Sequence, residues 1–233
     1  MLLRNPSFHD GLGLSVHIRT KIQEWWSYIA SVVVQIGEDT LEFTGGKNGD
    51  WMYWINGKPG DMDSLEDGSN LHATLSGFPI KYKNVSAKAN RFRVDLGVGN
   101  ALALENYNKF IRVTVGAHTK DKFVGSLGLM GSFPEGKRIA RDGETVVKKA
   151  NDFGKEWQVL ADEPQLFHTM EGPQSPMGCT MPDVTKRTKR RLGEALITKD
   201  EAAVACAHAK EAEKDACIFD VLATNDKDLA GSH

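Results

Sequence analysis

Hydrophobic and polar positions alternate with period two over residues 12–22. Leu12, Leu14, Val16, Ile18 and Ile22 fall on one face, and Ser15, His17, Arg19 and Lys21 on the other. That is the pattern of a half-buried strand. Trp26, Tyr28, Ala30, Val32, Val34 and Ile36 repeat it, with Val33 adding bulk to the opposite face. The spacing predicts further strands at 40–43, 51–56, 72–75, 78–82, 91–96, 101–105, 110–115 and 123–129. Short strands broken this closely by Gly, Asn and Asp predict a mainly β chain, an antiparallel β-sandwich. Gly45 to Asp50 and Asn56 to Gly60 supply turns whose residues accept positive φ.

The pattern changes after Val159. From Asp162 to Pro182 the chain carries four prolines and no periodicity, which predicts a linker. From Thr198 it turns helical, with Thr198 three residues before Glu201 in the arrangement of a capping box. An alanine-rich segment runs to His208 and a second helix is expected from about Glu211 to Leu222. The expected organisation is therefore a sandwich over 8–160, a proline-bearing linker and basic stretch over 161–196, and a small α-helical appendage over 197–233.

Composition narrows this picture without naming a function. The 233 residues suffice for one large domain or a domain with an appendage. A net charge of −2 creates no overall field that would favour nucleic acid, so no nucleic-acid partner is expected. No apolar run approaches the roughly 20 residues of a membrane-spanning helix. The opening Met1-Leu2-Leu3-Arg4-Asn5-Pro6 turns polar too early for a signal peptide. The three cysteines, Cys179, Cys206 and Cys217, all lie beyond the β-rich part, which must hold itself by packing.

Three separated stretches share a family signature: Leu127-Gly128-Leu129-Met130-Gly131-Ser132-Phe133, Arg141-Asp142-Gly143, and Asp152-Phe153-Gly154-Lys155-Glu156-Trp157. Together they resemble the core of the von Willebrand factor type D domain. Earlier segments fit the same order: Gly13 to Thr20 resembles its early strand, and Gln35 to Glu42 a later one. Cys206 and Cys217-Ile218-Phe219-Asp220-Val221 are similar to the eight-cysteine module that follows many type D domains. The family's opening Gly-Asp-Pro-His and the cysteines within its sandwich have no counterpart here. The resemblance thus implies a chain that enters one or two strands late, as the later part of a larger secreted product, and without those cysteines it does not extend to the family's disulfide-linked multimers. It also implies that Phe153 and Trp157 anchor a closing strand.

In the family, the loop after Gly-Leu-x-Gly supplies oxygens to calcium, which needs six to eight of them. Here Ser132 and Pro134 replace the expected Asn and Asp, and Lys137, Arg138 and Arg141 add positive charge. Asp142 is the one matching carboxylate, with Glu135 as a displaced substitute. The favoured expectation is therefore no cofactor, with Arg141 and Asp142 stabilising the loop by a charge pair or turn hydrogen bonds; a calcium site on Asp142 and Glu135 is the alternative. Asp61 to Gly68 departs from an EF-hand, because Leu65 holds a ligand position and Glu66 the glycine position. It reads as an acidic hairpin tip.

Cys206, His208 and Cys217 fall short of the four ligands of structural zinc. In the oxidising compartment that the resemblance implies, a Cys206–Cys217 disulfide is expected, with free buried thiols as the other reading. Cys179 would then be left for a second chain or a missing segment. Asn84-Val85-Ser86 is an N-glycosylation sequon if the chain is secreted. Arg187 to Arg191 suits a convertase site, a nuclear-import run or, most simply, a solvated stretch. Trp25, Trp26, Trp51, Tyr53 and Trp54 are candidates for stacking on sugars, or for core.

No serine elbow, zinc-protease helix or phosphate loop is present. The resemblance implies a non-catalytic extracellular or cell-surface module that assembles through other proteins or itself. A carbohydrate-binding sandwich using Trp51, Tyr53 or Trp54 is the alternative.

Overall fold

A computed structural model describes residues 1–23, 26–45, 50–86, 89–108, 110–168 and 196–232. The chain is mainly β, with two antiparallel sheets and a few small helices toward its C-terminal end. Both sheets are meanders in which each strand pairs with its neighbour in sequence. The six-stranded sheet runs β1 (Leu3–Asn5), β2 (Leu14–Gln23), β3 (Trp26–Ile36), β4 (Asp39–Gly45), β5 (Trp51–Ile55) and β6 (Lys58–Pro59). The five-stranded sheet runs β7 (Asn70–Leu75), β8 (Phe78–Ser86), β9 (Ala89–Gly97), β10 (Asn100–Tyr107) and β11 (Phe110–Gly116).

Alternation decides which face of each sheet meets the other. Leu14 and Val16 of β2, Val32, Val34 and Ile36 of β3, and Leu41 and Phe43 of β4 are buried in one core. Ile80, Tyr82, Phe92, Val94, Leu102 and Leu104 reach the same core from the second sheet. Phe92 lies at its centre, with its ring 5.0 Å from Phe43, 5.1 Å from Tyr53 and 5.5 Å from Tyr82. Rings in such tilted and edge-on arrangements add about 0.5–1.5 kcal/mol per pair beyond their burial. A second cluster joins Phe8 to Phe78 at 5.9 Å and to Phe123 at 6.2 Å. Leu12 and Ile22, expected on the buried face of β2, are exposed at 38% and 44%: Leu12 lies before the strand begins, and Ile22 near its end.

One polar clamp stitches the two meanders together. The Ser76 backbone N–H donates to Asp39 Oδ2 at 2.7 Å, and Ser76 Oγ donates to the Ile36 carbonyl at 2.7 Å. This ties the β3–β4 turn to the β7–β8 turn. Asp61 to Gly68 is not a hairpin tip: it belongs to the crossover from β6 to β7 that carries the chain between sheets. The expected strand at 123–129 is also absent. Residues Lys120–Phe123 form a 3-10 turn, and one bridge, Arg4 to Leu127, follows. Positive φ at Gly125 and Gly128 breaks the extended run.

All but one of the described α-helices follow the sheets. A distorted helical turn, α1 (Phe8–Gly11), joins β1 to β2, and α2 (Ala150–Glu156) lies after the signature loop. Near the C-terminal end are α3 (Lys199–Ala205) and α4 (Glu211–Thr224). By compactness the chain divides into Met1–Lys21 with Tyr28–Thr180, and Ile22–Ser27 with Met181–His233. Most of the expected linker, including Cys179 and Arg187 to Arg191, lies outside the described residues, as does Trp25.

The helical pair has a very small core: Ala202, Cys206, Cys217, Val221 and Ala230. Its capping box forms as expected, with Thr198 Oγ1 accepting from Glu201 N–H at 3.2 Å and Thr198 N–H donating to Glu201 Oε2 at 2.9 Å. That backbone donor, then Lys227 and the Thr198 hydroxyl, hold the Glu201 carboxyl down at about 2. The Cys206–Cys217 disulfide is present, with Cα atoms 5.9 Å apart, and joins the C-cap of α3 to the middle of α4. Closing a loop this short contributes about 3 kcal/mol in the chain-entropy account. Besides the cysteines, the buried residues of that core are two alanines and a valine, with Ile197, Ile218 and Leu222 only partly buried against them, so packing supplies little beside it. Replacing both cysteines by serine is therefore expected to speed backbone amide exchange in α3 and α4 while the strands keep their protection. Equal loss in both regions, or none in the helices, would refute it.

Candidate functional site

The signature loop forms a seam with the N-terminal segment. Arg4 N–H donates to the Leu127 carbonyl at 2.7 Å, and Leu127 N–H returns a bond to Arg4 at 2.9 Å. Leu129 and Met130 N–H donate to the Met1 and Leu2 carbonyls at 3.3 and 3.2 Å. The backbones approach so closely at Gly128 that a Cβ there would lie 2.3 Å from the Leu2 carbonyl oxygen. At Gly131 (φ 85°) a Cβ would lie 2.8 Å from the backbone of Gly136. Both glycines of the motif are thus required by close backbone approach.

Asp152 to Trp157 is a helix rather than a strand. Phe153 and Trp157, four residues apart, share one face of α2 and bury against Met1. Trp157 Nε1 donates to the Ile139 carbonyl at 3.0 Å. Arg141 fixes the end of this helix: its Nε donates to the Glu156 carbonyl at 2.5 Å and Nη2 to the Gln158 carbonyl at 2.5 Å. Its Nη1 forms an ion pair with Glu163. The charge partner of Arg141 is therefore Glu163 and not Asp142.

Asp142 closes its own turn. Oδ1 accepts from the Glu144 and Thr145 backbone N–H at 2.9 and 2.8 Å, and Oδ2 accepts from the Thr145 hydroxyl at 2.6 Å. The Thr145 hydroxyl, followed by these backbone donors, lowers the Asp142 pKa. Glu135 is exposed. Among the described residues, no group of three or more His, Cys, Asp or Glu is gathered for a metal.

The polar face of the six-stranded sheet is where the structure departs most from sequence expectation. His17, Ser31, Thr40, Glu42 and Thr44 point away from the core yet are buried, Glu42 completely. The segment after α2 crosses this face. His168 N–H donates to Glu42 Oε2 at 2.7 Å, and its ring Nε2 lies 3.0 Å from Thr40 Oγ1. Arg19 stacks over the Phe167 ring at 4.1 Å, and burial lowers its pKa against the pull of Glu42. Glu42 meets the backbone of His168 rather than its ring, so the group is arranged as a latch for the segment and not as a base–orienter pair.

Of the stacking candidates, Trp26 and Tyr53 are buried, while Trp51 and Trp54 are half-buried. Tyr53 is buried in the core. Trp51 lies 4.9 Å from the Phe43 ring and donates Nε1–H to the Asn108 carbonyl at 2.9 Å. Trp54 is half-buried on the outer face, paired across strands with Glu42 and Pro59. Asn84 is exposed on β8. No helix among the described residues is long and apolar enough to cross a membrane. No protein-family model and no curated protein matches this chain.

Two outcomes follow from this geometry. Gly128→Ala forces either the seam or β1 to move and is expected to destabilise by about 2–4 kcal/mol. A urea midpoint within error of wild type would contradict the seam. Burial, with the nearby cations adding to it, lowers the His17 pKa to about 4. The unfolded chain then takes up a proton near 6.5 that the folded chain refuses, so stability falls as pH drops from 6.5 toward 4. This residue accounts for up to about 3 kcal/mol of that fall. In His17→Gln the loss between neutral pH and about pH 4 should shrink accordingly; an unchanged pH slope would exclude His17 as its source.

Proposed function

We propose that this chain is a von Willebrand factor type D-like module with a non-catalytic, extracellular or cell-surface role, assembling matrix or coat through protein contacts, self-association included. The observation that carries the reading is the convergence of the three signature stretches. Gly128 and Gly131, Arg141, and Phe153 and Trp157 support one seam that closes the sandwich, and Asp142 caps the turn beside it. Residues spent on backbone approach, turn capping and helix anchoring support a scaffold rather than a reaction centre. The disulfide of the helical pair supports an oxidising compartment, the setting in which such bonds persist. Exposed Asn84 is accessible to glycosylation there.

Light-scattering mass of the purified chain across a dilution series, in calcium and then in chelator, tests the reading. We expect mass to rise with concentration in both conditions. A strict monomer throughout would count against assembly, and association lost in chelator would restore a calcium role to Asp142.

A further inference from the structure

We propose that the outer face of the five-stranded sheet binds a linear sulfated polysaccharide. The strand register sets out the chemistry. Tyr82, Phe92 and Leu104 face the core, so their neighbours face outward. One outward row crosses the sheet as Lys83, Arg91, Glu105 and Arg112, and the next as Lys81, Arg93, Ala103 and Thr114. Asp95 stands one position further along β9. Cations therefore lie about 4.8 Å apart across strands and about 7 Å apart along them. This is a dense positive patch on a chain whose net charge is −2.

The two carboxylates shape the patch rather than cancel it. Glu105 is nearly buried and holds the Arg91 guanidinium in place through an ion pair. Asp95 sits 3.6 Å from Lys81. Among the described residues no carboxylate pairs with Lys83 or Arg93. Lys81 and Lys83 are exposed, so the ridge is open to solvent. On the β10–β11 side the same row carries only Ala103 and Thr114, which leaves a low shelf beside the basic ridge. A flexible polyanion can lie on that shelf and exchange counterions for the ridge.

Charge complementarity selects an anionic chain, and the side chains favour sulfate over nucleic acid. Single-stranded nucleic acid on a sheet relies on exposed rings for stacking. Neither row carries an aromatic residue, and the row beyond holds half-buried Tyr107 opposite Phe110, whose ring is packed edge-on against Tyr28 at 5.2 Å.

The proposal rests on the extracellular setting proposed above for its encounter with such a chain, and the test separates the two. The whole protein is titrated at low salt with heparin, neutral dextran and oligothymidylate. Wild type should bind heparin and ignore dextran. Lys83→Glu/Arg93→Glu should weaken heparin binding about tenfold or more, because each removed cation removes counterion release. Lys148→Glu/Lys155→Glu, an equal change of net charge at exposed sites elsewhere, should leave it unchanged. Lys83→Gln/Arg93→Gln guards against misfolding: it should give an intermediate loss with an unchanged unfolding midpoint. Equal loss in the two Glu pairs, no loss in either ridge variant, or tighter binding of oligothymidylate than of heparin overturns the proposal. A monomer that still binds heparin removes the assembly reading alone, and an assembling chain that ignores heparin removes this one alone.

Discussion

The backbone pairing between Met1–Arg4 and Leu127–Met130 is the constraint on which the rest of the sandwich depends. It supplies the edge of β1 with bonded partners and holds Gly131 and the following loop against it. It also brings Met1 to Phe153 and Trp157, so α2 has a surface to bury. Arg141 then anchors the helix end and the segment that leaves it. With no disulfide among the described strands, this chain of dependence rests on Gly128 having no side chain.

The two sheets use their outer faces differently. The six-stranded sheet hides polar residues on its outer face, where the chain's own Phe167 and His168 meet Arg19, Thr40 and Glu42, and Glu42 is tolerated there because it accepts a backbone N–H from that segment. An isolated buried carboxylate would be far more costly. On the five-stranded sheet, long basic side chains stand in solvent at the positions opposite the core. The same period-two rule generates both faces, and the outward residues distinguish them: Ser, Thr and Val with a lone His17 and Glu42 under cover, mostly Lys and Arg in the open.

That distinction marks how far the sequence could be read. Strands such as β2, β4, β8, β9 and β11 were legible because one face is apolar and the other polar, and β5 because its aromatic and aliphatic run is bounded by turn residues. β1 and β6 are too short to show a period, and their pairing is set by the strands beside them. Phe123, Val124, Leu127 and Leu129 mimic a strand, but Gly125 and Gly128 turn the backbone where alternation implies extension. The four-residue spacing of Phe153 and Trp157 is a helical signal that the likeness to a strand-closing motif outweighed. His168 and Glu42 lie 126 residues apart, so no local pattern could join them. The signal available was weaker: uncharged Ser31, Thr40 and Thr44 at outward positions where an exposed strand would carry charge.

The seam also orders events during synthesis. Each meander strand finds its partner within a few residues, so most of both sheets can pair as the chain lengthens. The outer edge of β1 is the exception. Its Asn5 side chain bonds to the Val124 carbonyl, 119 residues downstream, and its backbone waits as long for Leu127. Until the ribosome has delivered that segment, β1 carries an open edge of the kind that templates pairing between chains. A nascent chain stalled before the signature loop would hold both sheets in hand and still lack its closure.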